Sequence, residues 1–147
     1  MLSLLLAAAA IQETTLSANN YSVDEPMPAH LETLLWSDEF NGTRLDASKW
    51  RYDTSRNKEG WYNKELQYYA ANRLENLRVA GGVLTIELRK DPDLIRKFPD
   101  WGKQKYSSAK IVTDGKVAFR YGFVEARAKV PCSRGSWPAF WMMPVAD

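Results

Sequence analysis

The sequence predicts an all-β domain, a β-sandwich or jelly roll, on three observations. Short runs alternate apolar and polar residues, closely spaced turn signals separate those runs, and no long stretch repeats its apolar residues with a helical period. The chain has 147 residues, room for one domain of ordinary size, expected to act as a monomer.

The first eleven residues (MLSLLLAAAAI) are apolar and uncharged. A run this short falls below the roughly twenty residues a bilayer span needs. Followed by polar Gln12 and Glu13, it fits the apolar region and cleavage zone of a secretory signal, expected over residues 1–13. The positively charged start typical of such signals is absent, and a buried N-terminal strand or helix is the alternative. Residues 14–33 follow as a polar linker with Asn19, Asn20, Pro26 and Pro28 and no periodicity. The domain proper is expected over residues 34–147. Export and the lack of a second apolar run predict a secreted or cell-envelope protein with no membrane span.

Within the domain, an early strand around Leu35 to Phe40 closes at Asn41-Gly42, and Asp46 is placed to cap a short turn leading to Trp50. The stretch from Asn63 to Leu77 (NKELQYYAANRLENL) is rich in helix formers, and propensity alone would make it helical. Leu77 to Val79, Ala80-Gly81-Gly82 and the alternating run to Arg89 read as a β-hairpin, with Leu84, Ile86 and Leu88 on one face. Ala109 to Val112, Thr113-Asp114-Gly115 and Val117 to Phe119 suggest a second hairpin.

The run Tyr121 to Val130 (YGFVEARAKV) puts Gly122, Val124, Ala126, Ala128 and Val130 on one face and Tyr121, Phe123, Glu125, Arg127 and Lys129 on the other. The small apolar face suits packing on a second sheet. The opposite face is either an ordinary solvated surface, with Glu125 and Arg127 a weak pair worth under about 1 kcal/mol, or the floor of a cleft. Next, Ser136 to Met143 (SWPAFWMM) would, if extended, point Trp137 and Trp141 the same way. Residues four apart at about 3.3 Å each make a platform roughly 13 Å long. Two such rings would crowd a sandwich layer only about 10 Å thick, which favours a cleft over plain core. Pro138 cannot donate to a ladder, so that strand belongs at an edge or a bulge.

Composition excludes several functions. A net charge of +2 with bases scattered among acids gives no basic patch for nucleic acid or an anionic membrane. One Cys, Cys132, rules out an intrachain disulfide, and one His with one Cys cannot assemble a His/Cys metal centre. Six Trp and seven Tyr are the unusual feature. Their flat faces can fill a β core or stack on the C–H faces of pyranose rings.

Five segments resemble glycoside hydrolase family 16 in order: Trp36-Ser37-Asp38-Glu39-Phe40-Asn41-Gly42, Asn63-Lys64-Glu65-Leu66-Gln67-Tyr68-Tyr69, Tyr106-Ser107-Ser108-Ala109-Lys110-Ile111, Tyr121-Gly122-Phe123-Val124-Glu125-Ala126-Arg127 and Gly135-Ser136-Trp137-Pro138-Ala139-Phe140-Trp141-Met142. The details are similar to the laminarinase branch, which cleaves β-1,3 and mixed β-1,3/1,4 glucans. The resemblance implies a concanavalin-like jelly-roll sandwich with a cleft on its concave sheet, and it overrules helix over Asn63 to Leu77. It implies a retaining mechanism in which two carboxylates about 5–5.5 Å apart serve as nucleophile and acid/base. The family draws them from a Glu, Asp, Glu strand at near-alternate positions.

No Glu-x-Asp-x-Glu or Glu-x-Asp-x-x-Glu occurs in the sequence. The catalytic strand is therefore expected beyond Asp147, the fold is expected to be incomplete here, and residues 31–147 alone are expected to aggregate or fold only in part. Glu125 alternates with Arg127 and is not a substitute catalyst. Carried over by resemblance are Asn63 and Arg127 as ligands of sugar hydroxyls, Glu125 as the residue orienting Arg127, and Trp137 and Trp141 as aromatic walls. No cofactor is required. The family's structural Ca²⁺ makes the backbone oxygens of Glu39 and Gly82 candidate ligands. A non-catalytic glucan-recognition protein on the same scaffold is the alternative function. A structural β-domain without a sugar role would leave the co-facial tryptophans and the Glu–Arg pair as accidents.

Overall fold

The computed structural model describes residues 33–145, together with the backbone of residues 3–8. Among the described residues there are ten strands: β1 Ser3–Ala8, β2 Thr33–Asp38, β3 Arg51–Tyr52, β4 Gln67–Tyr69, β5 Leu77–Ala80, β6 Val83–Ile86, β7 Arg89–Lys90, β8 Tyr106–Ser108, β9 Ile111–Val112 and β10 Phe123–Arg127. Among the described residues, helix is confined to a 3-10 turn at Tyr62–Lys64 and one short helix, α1, at Pro92–Ile95. The all-β expectation is borne out.

The strands form four small sheets, ordered β10-β1-β2, β3-β9, β4-β8-β7 and β5-β6. Residues 3–8, expected within a secretory signal, run antiparallel between β10 and β2, with Leu4 opposite Ala126 on one side and Asp38 on the other. Strand pairing in the folded chain and service as an export signal in the nascent chain are separate properties. The remainder of the expected signal and nearly all of the expected linker lie outside the described residues.

The hairpin read from Gly81-Gly82 is present. Strands β5 and β6 pair antiparallel from Leu77 opposite Ile86 to Ala80 opposite Val83, and both glycines take positive φ. The alternation stops short of the expected run: Leu84 is buried, whereas Ile86 and Leu88 are exposed. The second hairpin is not formed. Its turn exists, with the Lys116 and Val117 amides donating to the Thr113 carbonyl. Residues 117–119, however, are not a strand, and β9 pairs instead with β3, Ile111 opposite Tyr52. A long-range partner won over the local one, and the Arg51–Asp114 ion pair joins that turn to β3.

The helix formers between Asn63 and Leu77 yield the 3-10 turn and strand β4, which lies parallel to β8 with Tyr68 opposite Ser107. Pairing and burial of Tyr68 and Ala70 override the local propensity. Helix α1, which the sequence reading missed, starts at Asp91 with Pro92 in its first turn. That Asp-Pro pair is a recognisable helix start.

Two apolar clusters result. In the first, Phe40, Trp50, Leu77, Val79, Leu84 and Ala109 are buried, and Trp36, Val124 and Ala126 pack against them. The small face of β10 therefore faces inward, as its pattern predicts. Asp38 organises this cluster: one carboxylate oxygen accepts from the Phe40 amide at 2.9 Å and the other from Trp50 Nε1 at 2.7 Å. Trp50 stacks with Phe40 and meets Trp36 edge-on. Asp46 behaves as expected, accepting from the Ser48 amide and hydroxyl in the turn before Trp50.

The second cluster joins Tyr68, Ala70 and Ile95, with Trp101 alongside. Asn57, fully buried, ties it together. Its side-chain oxygen accepts from the Tyr69 amide at 2.9 Å and from Trp61 Nε1 at 3.1 Å, while its nitrogen donates to the Tyr69 carbonyl and to Asp100. Tyr68 donates its hydroxyl to the other Asp100 oxygen at 2.7 Å. Gly102 packs so closely on this loop that a Cβ there would overlap the carbonyl oxygens of Asn57 and Lys58.

Candidate functional site

The five residues expected to bind sugar fall on three elements. Asn63 sits in the 3-10 turn, exposed, with φ of 57°. Asparagine tolerates this left-handed conformation better than most residues. Glu125 and Arg127 lie on the outward face of β10, both exposed. Among the described residues, no hydrogen bond or ion pair joins these two, so the expected orienting contact is not made. Alternate strand positions place them on one face without bringing their charged ends together.

Trp137 and Trp141 are 75% and 57% exposed. Neither is buried among the described residues. The strand expected over Ser136 to Met143 is absent: these residues pair with no neighbour among the described residues. A strand needs a partner for its backbone groups, and Pro138 removes one of the donors it could have offered. Met142 and Met143 are exposed as well, so the whole segment presents apolar surface.

Trp141 is nevertheless tethered. Lys110 Nζ lies over its ring, 5.3 Å from the centroid, and also over the ring of Trp61, at 4.5 Å. The same ammonium pairs with Asp53 Oδ2 at 2.9 Å. Trp61 meets Tyr69 edge-on at 4.7 Å, and its indole N–H is held by Asn57. Tyr69 in turn donates its hydroxyl to Glu65 at 3.3 Å. A continuous set of contacts thus runs from the buried Asn57 network, through Trp61 and Lys110, to the exposed ring of Trp141. Sequence reading named Trp141 as a site residue and gave no part in the site to Asn57, Trp61 or Lys110.

Two titrations belong to this set. Burial pushes the Asp53 carboxyl up, but hydrogen bonds from Lys110 and Ser55 outweigh it and hold the group below its ordinary 3.8. Burial, with the Glu65 carboxylate beside it, pushes the Tyr69 hydroxyl up to about 12. The depressed acid contributes stability that is present above its unfolded value and lost as pH falls through the folded one. The raised phenol contributes stability that is present below pH 10.0 and lost as pH rises towards about 12. Thermal unfolding followed across pH should therefore show a plateau through neutrality with losses below about pH 4 and above about pH 10. Asp53→Asn should flatten the acid side.

Glu39 and Gly82 are neighbours. A Cβ on Gly82 would lie 3.8 Å from the Glu39 carbonyl oxygen and 3.6 Å from Asn41 Oδ1. Gly82 thus packs against two oxygens of the loop at residues 39–41, whereas Ca²⁺ takes about six to eight oxygen ligands. Among the described residues, no three His, Cys, Asp or Glu side chains cluster as a metal site. Cys132 is exposed and unbridged.

Residues 64–147 match the family "Glycosyl hydrolases family 16". A beta-glucanase of Rhodothermus marinus is 48% identical over 112 residues, covering 76% of this chain and 36% of the relative. A glucan endo-1,3-beta-glucosidase A1 of Niallia circulans is 45% identical over 117 residues, covering 76% of this chain and 17% of the relative. The chain thus spans about a third or less of these relatives. Among solved structures, SCLam, a non-specific endo-beta-1,3(4)-glucanase, superposes with a TM-score of 0.58 at 57% identity, covering 60% of this chain and 33% of that one. A mutant of SCLam presenting 1,3-beta-D-cellobiosyl-glucose at its active site superposes with a TM-score of 0.61 at 55% identity, covering 66% of this chain and 39% of that one. The chain belongs to glycosyl hydrolase family 16.

Proposed function

We propose that this protein hydrolyses β-1,3 or mixed β-1,3/1,4 glucan with retention of configuration. The observation that carries the proposal is the pair of exposed tryptophans, Trp137 and Trp141, in a segment that matches a family whose similar members are β-glucanases. In this reading the two rings stack on glucose units, while Asn63 and Arg127 bond sugar hydroxyls and Glu125 turns towards Arg127 when sugar is bound. Bringing flat aromatic faces against pyranose C–H faces buries apolar area while the hydroxyls remain free for polar partners.

The chemistry needs two carboxylates. One attacks the anomeric carbon as the glycosidic C–O bond breaks, and the other protonates the departing oxygen. That second group then takes a proton from water, which displaces the enzyme carboxylate and releases the sugar. No alternating Glu, Asp, Glu triplet occurs in residues 1–147, so the proposal places these acids outside this sequence. A structural Ca²⁺ would be held in part by the carbonyls of Glu39 and Gly82 and would brace their two loops. Export to the medium or the cell envelope accords with an insoluble or large polysaccharide substrate. No helix among the described residues is long and apolar enough to cross a membrane.

The second reading, a glucan-binding protein without hydrolysis, is favoured by a separate likeness. A beta-1,3-glucan-binding protein of Penaeus monodon is 50% identical over 38 residues, covering 26% of this chain. Reducing-end release from laminarin and from mixed-linkage glucan by the full-length protein tests the proposal. Release is expected from both. Binding without release would transfer the protein to the second reading.

A further inference from the structure

We propose that Lys110 is a positioning residue that fixes the ring of Trp141 for sugar stacking. The inference rests on the glucan reading and assigns a part in it to a residue outside the expected sugar contacts. Three contacts converge on one ammonium: Asp53 Oδ2 at 2.9 Å, the Trp61 ring at 4.5 Å and the Trp141 ring at 5.3 Å. Two of these partners are anchored. Trp61 is buried and its indole N–H is held by fully buried Asn57. Asp53 is further fixed by the Ser55 hydroxyl, and its amide donates to the Lys110 carbonyl at 2.9 Å.

Trp141 is the third partner and differs from the others. Its segment joins no sheet among the described residues, and its ring is 57% exposed. Without the ammonium, nothing else among the described residues' ring and charge contacts would set the orientation of that indole. A cation on one face of an indole leaves the opposite face available for a pyranose. Lys110 is itself an unsuitable sugar ligand: its side chain is only 20% exposed, and its charge is already matched by Asp53. It acts through Trp141.

The position also explains why lysine suits it. A long stem crosses from β9's neighbouring residue to the loop of Trp61, and a compact charge fits between two ring faces. Arginine would preserve both ring contacts and the pairing with Asp53. Methionine would keep the stem and remove the charge.

The test is affinity for laminari-oligosaccharide, with KM and kcat on laminarin, in the full-length protein and its variants. Lys110→Met is expected to weaken binding and raise KM about fivefold, the size of one ring–cation contact, with kcat unchanged. Lys110→Arg is expected to recover most of the loss. In a Trp141→Ala background, Lys110→Met is expected to cost nothing further, because its target is gone. Should Lys110→Met fail to fold, Asp53→Asn reads the same contact by unseating the ammonium, with a loss of about threefold confined to proteins that retain Trp141. Unchanged affinity in the folded charge-removing variant, or an equal loss with and without Trp141, overturns the inference while the glucan reading stands. A wild-type protein that binds no laminari-oligosaccharide overturns both.

Discussion

Trp141→Ala should lower glucan affinity or turnover at least about tenfold while leaving the thermal unfolding midpoint nearly unchanged. The ring is more than half exposed and belongs to neither apolar cluster, so removing it opens no cavity in the fold. Its value lies in the area it offers a sugar and in the flat face that Lys110 holds in place. Isothermal titration with a laminari-oligosaccharide, beside a melting curve, separates the two effects. Lost stability with intact binding would move Trp141 from the cleft into the folding core.

Asn57→Ala should have the opposite profile, costing about 3 kcal/mol or more of stability. Asn57 is fully buried, and its side chain serves four partners: the Tyr69 amide, the Tyr69 carbonyl, the Trp61 indole and Asp100. Alanine cannot replace any of these bonds. Leaving buried donors unsatisfied costs about 1–3 kcal/mol each, although relaxation and water recover part of it. The loss should also reach the site, because Trp61 and the turn bearing Asn63 adjoin that network. Denaturant unfolding measures the first effect. A midpoint shift equivalent to under about 1 kcal/mol would show that water or neighbouring groups replace the amide.

These two residues illustrate what the sequence makes legible. Trp141 stands out in one line of text, because two tryptophans four apart beside a proline make a local pattern. Asn57 does not, because its partners are at 61, 69 and 100, and only folding assembles them. Lys110 is hidden for the same reason: the residues it touches are at 53, 61 and 141. The hairpin at Gly81-Gly82 was readable because adjacent strands and two permissive glycines specify it locally. The supposed hairpin after Val112 failed because β9 found β3, a pairing no local pattern announces.

The pattern of β10 was read correctly on its inner face and only partly on its outer one. Val124 and Ala126 pack on the first cluster, as alternation demands. Glu125 and Arg127 share the opposite face without touching, since strand periodicity fixes direction and leaves the ends of long side chains free. Helix propensity over Asn63 to Leu77 was overruled by resemblance, and the physical reason lies in the pairing of β4 with β8 and the burial of Tyr68.

The most direct test of the central claim is to follow, by proton NMR, the anomer released when the full-length protein acts on a laminari-oligosaccharide. The β-anomer should appear first and then mutarotate, as retention through two carboxylates requires. The α-anomer appearing first, or no cleavage of an oligosaccharide that binds, would contradict it.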